Sequence, residues 1–229
     1  MAETHPNSAV APMVFLLDCD NTLLRNDDVK DAMNQALIEL DGPAQAEEFW
    51  RVYEDVRKKT GTVDLPNTFA AFRPYLKSDS QLEAVRATIM DFPFQDYLYP
   101  GALDTIATLK QRGLPVIVSD GDSVYQPHKI VRSGLASAVD DQWAVYIHKE
   151  EHLAAITQRW PAPLYVMIDD KAHLLAAMKA QTPERFVTIH IDQGHYAAEV
   201  ANPAPDITLE HIGDVRQLDF ATLWRYTRA

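Results

Sequence analysis

The chain has 229 residues, 47% of them hydrophobic, enough to bury one sizeable core or a core with a smaller second unit. Its 33 Asp and Glu outnumber 21 Lys and Arg, a formal net charge of −12; this argues against nucleic acid or an anionic membrane, which both need a basic face, though a bound cation can reverse the local sign for a small anionic substrate. Cys19 is the single cysteine and excludes an internal disulfide, residues 1–10 show no leader pattern, and no apolar stretch suffices to span a bilayer, so the expectation is a soluble cytoplasmic protein with no membrane or nucleic-acid partner.

The first element is an apolar run, Val14 to Leu17, that stops at Asp18 and is followed by Cys19, Asp20, Asn21 and Thr22. A short apolar run bounded by a polar turn reads as a buried parallel strand. Residues 26 to about 98 then read as helical. Met33, Ala36, Leu37 and Leu40 form one apolar stripe, and Phe49, Val52, Tyr53 and Val56 another. Gly42-Pro43 separates these two helices and Gly61 ends the second. Phe69, Phe72 and Leu76 suggest a third. Ser80 with Glu83 resembles a capping box opening a fourth through Leu82, Val85 and Ile89. No strand is convincing in this block.

The pattern changes at Tyr99-Pro100-Gly101. A helix through Leu103, Ile106 and Ala107 closes at Gly113, and Leu114 to Val118 is a strand ending at Ser119-Asp120-Gly121-Asp122. A helix through Ile130 and Val131 stops near Gly134. Trp143 to Ile147 is a strand, followed by a helix with Leu153 and Ile156. Leu164 to Ile168 is a strand ending at Asp169-Asp170, followed by a helix with Leu174, Leu175 and Met178. Arg185 to Ile191 is a fifth strand. A short strand near Ile207 and a last helix with Val215, Leu218, Leu223 and Trp224 follow. This alternation indicates an α/β fold with a doubly wound parallel sheet. The predicted organisation is a core of residues 1–25 and 99–229, with an α-helical insertion at 26–98.

Asp18/Asp20, Ser119, Lys149 and Asp169/Asp170 all fall at or just beyond carboxyl ends of strands, where open α/β sheets bind ligands. Each alone is weak evidence; an aspartate pair after a strand is often only a turn. Together they fit phosphoryl transfer. A carboxylate can attack phosphorus, and the charge on the transferring group calls for a cation and hydrogen-bond donors. Asp18 and Asp169 suit Mg²⁺, a hard cation that prefers oxygen. Lys149 and the Ser119 hydroxyl can neutralise or bind phosphoryl oxygens. Asp20 can protonate the leaving oxygen and then deprotonate water.

Asp18-Cys19-Asp20-Asn21-Thr22, Ser119, Lys149 and Asp169-Asp170 resemble, in order, the four motifs of the haloacid dehalogenase superfamily, and specifically its phosphatase branch. The resemblance runs from Met13 to about Gln193. It implies a Rossmannoid core, an α-helical cap in the insertion, Asp18 as nucleophile, and Mg²⁺ held by Asp18, the backbone carbonyl of Asp20 and an acid of the Asp169-Asp170 pair. It implies a Mg²⁺-dependent hydrolase of a small phosphorylated metabolite. The alternatives are a dehalogenase of the same superfamily, which would need neither Asp20 nor the metal, and a phospho-accepting receiver. Receivers carry their acidic pair on the first strand, before the phospho-acceptor, and lack the insertion. A catalytically dead binding protein is disfavoured by acids at every motif.

Several residues read more simply. Lys129 rivals Lys149 but does not precede the Asp169 strand, and reads as a solvated helix residue. Cys19 reads as a small core hydrophobe, His148 as structural, and Gln193-Gly194-His195-Tyr196 as a turn that could bring His195 to the rim of the site. Trp50, Arg51, Lys58, Lys59 and Arg73 of the insertion are candidate substrate contacts that read first as core or solvated face. Asp27-Asp28 suit the positive end of a helix. The eight histidines lack zinc-ligand spacing.

Overall fold

The structure, a computed structural model, describes residues 11–181 and 184–227. Six parallel strands form one sheet: β1 (Met13–Leu17), β2 (Leu114–Asp120), β3 (Trp143–Tyr146), β4 (Leu164–Asp169), β5 (Phe186–Ile191) and β6 (Ile207–Leu209). Their spatial order is β3-β2-β1-β4-β5-β6. The order reverses between β1 and β4, and such a reversal opens a crevice at the carboxyl edge of the sheet.

Both sheet faces are covered, which explains the continuous apolar runs in the strands. Alternation sends Val14 and Leu16 to one face, with Leu153, Ile156, Leu175 and Met178 from the helices α8 (Leu153–Arg159) and α9 (Ala172–Gln181). Phe15, Leu17 and Cys19 go to the other. They join Ile106 and Leu109 of α5 (Ala102–Lys110), Ile130 of α6 (Tyr125–Arg132) and Leu135 of α7 (Leu135–Ala138). This parity makes Cys19 a fully buried core residue, as its size suggested.

Between β1 and β2 the chain is helical: α1 (Asn26–Asp41), α2 (Pro43–Thr60), α3 (Leu65–Phe72) and α4 (Asp79–Met90). Gly42, with φ 85°, turns α1 into α2, and Gly61 ends α2 in the left-handed region at φ 78°. Met33, Leu37, Phe49, Val52, Phe69, Phe72, Val85 and Ile89 are buried together. Leu40, expected in the first stripe, is 40% exposed instead; it lies on the flank of α1. The cap of α4 is Ser78, whose side chain accepts from the Gln81 backbone N–H; Ser80 lies inside the helix, so the expected Ser80 capping box is two residues late.

Two passages connect this helical insertion to the sheet, and they run side by side. Tyr99 N–H donates to the Leu23 carbonyl and Arg25 N–H to that of Tyr97, at 2.9 Å each. The C-terminal segment differs from expectation. Val215, Leu218, Leu223 and Trp224 do not share an α-helix; two short 3₁₀ segments, Ile212–Gln217 and Phe220–Tyr226, carry Val215, Leu223 and Phe220 onto the core and leave Trp224 43% exposed. Tertiary burial outweighs helical propensity over so short a stretch. Among the described residues no helix is long and apolar enough to cross a membrane.

Candidate active site

Strand register builds the site. Leu17 pairs with Ile168 across the β1–β4 ladder, and Asp18 N–H donates to the Ile168 carbonyl at 2.9 Å. Asp18 and Asp169 therefore leave adjacent strands at the same level. On the other side of β1, Leu17 pairs with Ile117, which sets Ser119 two residues further along β2. Beyond β3 a 3₁₀ turn from Lys149 to His152 brings Lys149 back under the edge, where its backbone N–H donates to Asp120 at 2.8 Å.

Lys149 is fully buried and sits among the acids. Its Nζ lies 2.5 Å from Asp18 Oδ1, 2.7 Å from Asp169 Oδ2 and 3.2 Å from the Val118 carbonyl oxygen. Asp18, Asp169 and Asp170 are each buried, and one oxygen from each lies within 4.8 Å of the others. Asp18 Oδ2 and both oxygens of Asp170 have no hydrogen-bond partner. Ser119 is buried, and its Oγ accepts from Gln126 Nε2 at 2.8 Å, which holds the hydroxyl in place.

Asp20 departs from this group. Its carboxylate accepts two hydrogen bonds from Lys129 Nζ, at 2.7 and 2.6 Å, and the same ammonium donates to Asn26 Oδ1 at 3.0 Å. Lys129 is thus not the solvated residue expected from sequence: it is 3% exposed and faces inward from α6. The Asp20 side chain stays 25% exposed and lines a cavity between the insertion and the sheet edge.

Burial is the largest influence on Asp18, Asp169, Asp170, Lys149 and Lys171. It pushes the Asp18 carboxyl from 3.8 up to about 7, the attraction of Lys149 only partly opposing it. Burial, with Asp169 and Asp18 as neighbours, pushes Asp170 up to about 9. For Asp169 burial acts upward too, but Lys149 and Lys171 outweigh it and hold its carboxyl below the ordinary range. Burial acts to lower Lys149 and Lys171, and the surrounding aspartates hold both ammoniums above their usual values instead. Two lysines thus face three buried carboxylates, with three oxygens still unpartnered. That deficit, and an all-oxygen donor set, fit a hard divalent cation held by Asp18, Asp169 and Asp170.

Residues 12–182 match the haloacid dehalogenase-like hydrolase family. The chain belongs to that family. A haloacid dehalogenase-like hydrolase from Burkholderia xenovorans is similar over 92% of this chain and 97% of its own, with 39% identity and a TM-score of 0.81. The fold is shared with the HAD-hydrolase YfnB from Bacillus subtilis, solved with magnesium (15% identity, 90% and 97% covered, TM-score 0.59), and with the L-2-haloacid dehalogenase from Xanthobacter autotrophicus (17%, 90% and 97%, 0.57). No curated protein matches the chain.

In this haloacid dehalogenase-like hydrolase, Asp18, Lys149 and Asp169 meet directly, and Asp170 and Ser119 lie at the same edge. The Asp20 carboxylate does not join the cluster of metal-competent carboxylates, which leaves only its backbone to contribute there. His195 does reach the rim: its Nδ1 lies 2.9 Å from Asp27 and 3.2 Å from Asn21 Nδ2, tying the loop after β5 to the first turn of α1. His148 is largely exposed, beside Glu150. Arg51 pairs with Glu48 and Asp55, and Arg73 with Asp79, on the surface; Lys58 and Lys59 are exposed. Trp50 donates to Asn34 Oδ1 at 3.0 Å and lines the cavity. Sequence reasoning missed Lys171, although it directly follows Asp169-Asp170 on the same turn. It also missed Gln126 and set Lys129 aside, although their spacing with buried Ile130 on α6 is that of a core face.

Proposed function

We propose that the protein is a Mg²⁺-dependent phosphatase of a small phosphate monoester. The observation that carries this reading is the cluster of Asp18, Asp169 and Asp170 with three unpartnered buried oxygens. Displacement of halide from carbon by a carboxylate needs no metal and gains nothing from such a cluster. The second support is Asp20, two residues past Asp18, open to the cavity that the leaving group would occupy.

The Asp18 carboxylate attacks phosphorus and forms an aspartyl-phosphate as the ester P–O bond breaks. Both Asp20 oxygens accept from Lys129, so the proton enters with the monoester monoanion; Asp20 passes it to the departing alkoxide oxygen and then takes one from the water that hydrolyses the acyl phosphate, returning Asp18 to its free state. Lys149 holds Asp18 by an ion pair at 2.5 Å, and the Ser119 hydroxyl, set by Gln126, donates to a phosphoryl oxygen. Mg²⁺, when bound, keeps Asp18 ionised at neutral pH and offsets the charge of the phosphoryl oxygens. The helices of residues 26–98 act as a cap that covers the site and excludes water.

The reading is tested by assaying phosphate and halide release from panels of phosphate monoesters and 2-haloacids, with Mg²⁺ and with EDTA. Phosphate release that EDTA abolishes and Mg²⁺ restores is the expected result. Halide release without phosphate release, or full turnover in EDTA, would refute it. The rival dehalogenase reading has one observation on its side: Lys129 already occupies both Asp20 oxygens. That ion pair leaves Asp20 a quarter exposed to the cavity, so the carboxylate remains reachable.

A further inference from the structure

Resting on the phosphatase reading, we infer that Lys171, and not Lys149, is the side-chain cation that binds the oxygens of the transferring phosphoryl group. An ammonium has three N–H donors, and that of Lys149 meets three protein oxygens: Asp18 Oδ1 at 2.5 Å, Asp169 Oδ2 at 2.7 Å and the Val118 carbonyl at 3.2 Å. Lys149 is also fully buried. It therefore neutralises the acids and has no donor left for a ligand. Lys129 is committed in the same way, to both Asp20 oxygens and to Asn26 Oδ1. Besides the metal, the anionic oxygens of a phosphate ester still need a positive partner that can point a donor at them.

Lys171 is in place for this and uncommitted. Asp169 Oδ1 accepts from the Lys171 backbone N–H at 2.9 Å, a turn that sets the residue at the carboxyl edge of β4, directly after the Asp169-Asp170 pair and before α9. The half-buried side chain lines a polar cavity of about 410 Å³ with Asp20, Asn21 and Asp170. That cavity joins an acid of the metal cluster to the proposed acid–base group, which is where the transferring group must lie. Among the described residues the Lys171 ammonium makes no hydrogen bond and no ion pair. Asp18 and Asp169 are close enough to hold it charged against burial, yet they leave its donors unused. The Tyr196 ring, with its centroid 5.7 Å from Nζ, steers the ammonium without occupying a donor.

The other basic groups of this cavity fit the role less well. Arg57 gives Nε and Nη2 to Glu54 Oε2. His195 is held by Asp27 through its ring Nδ1 and its backbone N–H. Lys30 also lacks an ion pair among the described residues, but it stands exposed on α1 in the helical insertion. The cations that act most on Asp18 and Asp170 are Lys149 and Lys171. Lys171 keeps its protons throughout the reaction. It lends charge and hydrogen bonds while the P–O bond to Asp18 forms and the P–O bond to the alcohol breaks.

The test is calorimetric titration of Mg²⁺, and then of orthophosphate in Mg²⁺ buffer, into wild type, Lys171→Met, Lys171→Arg and Lys30→Met. Lys171→Met should weaken phosphate binding roughly ten- to a hundredfold, the effect of losing a charge-assisted hydrogen bond. The same variant should bind Mg²⁺ at least as tightly as wild type, because it removes a positive charge beside the acids. A side chain that only shaped the loop would weaken both when removed. Lys171→Arg should recover most of the phosphate affinity, and Lys30→Met should leave it unchanged. Three results would overturn the inference: no phosphate binding by wild type, Lys171→Met losing Mg²⁺ together with phosphate, or Lys171→Met losing no more phosphate affinity than Lys30→Met. Turnover of the ester and 2-haloacid panels decides the phosphatase reading separately. If phosphate binds through Lys171 but only halide is released, that reading falls and the anion site stands. If esters are hydrolysed and Lys171→Met keeps its phosphate affinity, the reading stands and the inference falls.

Discussion

Replacing Lys149 with Met removes the ammonium that two buried carboxylates share, and the cost of that change should depend on pH. Lys149 is fully buried, with Asp18 and Asp169 at 2.5 and 2.7 Å, so deletion leaves two adjacent carboxylates without their closest cation. Breaking a buried pair by removing one partner typically costs about 3–5 kcal/mol, and two orphaned partners place this site toward the upper end. The protein has one way to soften the loss: Asp18, whose carboxyl burial already pushes up to about 7, takes a proton. A carboxyl with a raised folded-state pKa stabilises the fold fully below its unfolded value of 3.8, and that contribution is lost as pH rises through the folded value. Losing Lys149 raises Asp18 further. The penalty should therefore be smaller at pH 5.5 than at pH 8. Urea unfolding in EDTA of wild type, Lys149→Met, Asp18→Asn and the double variant measures it at both pH values. At pH 8 the double variant should recover much of the lost stability. A penalty under about 1 kcal/mol, or one equal at the two pH values, would refute the account of these charges.

Four further outcomes follow from the same geometry. Asp20→Asn should slow ester turnover by about 10²–10⁴-fold while leaving the fold intact, because it removes the proton donor and acceptor beside the leaving oxygen; an unimpaired variant would exclude that role. Lys129→Met should lower kcat roughly ten- to a hundredfold with little change in KM, since its hydrogen bonds place Asp20 and do not hold substrate, and Lys129→Arg should restore part of the loss. A rise in KM at constant kcat would make Lys129 a substrate contact instead. Asp170→Asn should raise the melting temperature of the metal-free protein at pH 8, where the unfolded chain ionises this carboxyl freely and the folded protein does so only at a cost, and much less at pH 4, close to the ordinary value of 3.8; the same variant should lose Mg²⁺-dependent stabilisation in a thermal-shift titration.

The sheet was legible in the sequence because buried parallel strands leave an unambiguous trace: apolar runs such as Leu164–Ile168 that end on a charged pair. Register then did the work that no motif states. Leu17 opposite Ile168 is enough to bring Asp18 beside Asp169, 151 positions away in the chain. What misread was short or mixed. The segment after β6 has apolar residues at helical intervals but only six or seven residues per turn segment, and it settles into 3₁₀ turns shaped by the core it covers.

The larger error concerns a charge in the wrong place. A lysine on a helix is normally read as solvated, and that prior set Lys129 aside. The helix itself carried the contrary signal. Gln126, Lys129, Ile130 and Ser133 fall at i, i+3, i+4 and i+7, and all four are buried, whereas Val131, which seemed to belong with Ile130, is 56% exposed. An inward face built of polar residues has to find buried partners. Gln126 finds Ser119, and Lys129 finds Asp20 and Asn26. One helix face thus holds in place the hydroxyl at the end of β2, the carboxylate after β1 and the first residue of the helical insertion. A polar residue at a core position beside a strand that ends in acids is therefore evidence for the site, even when no motif includes it.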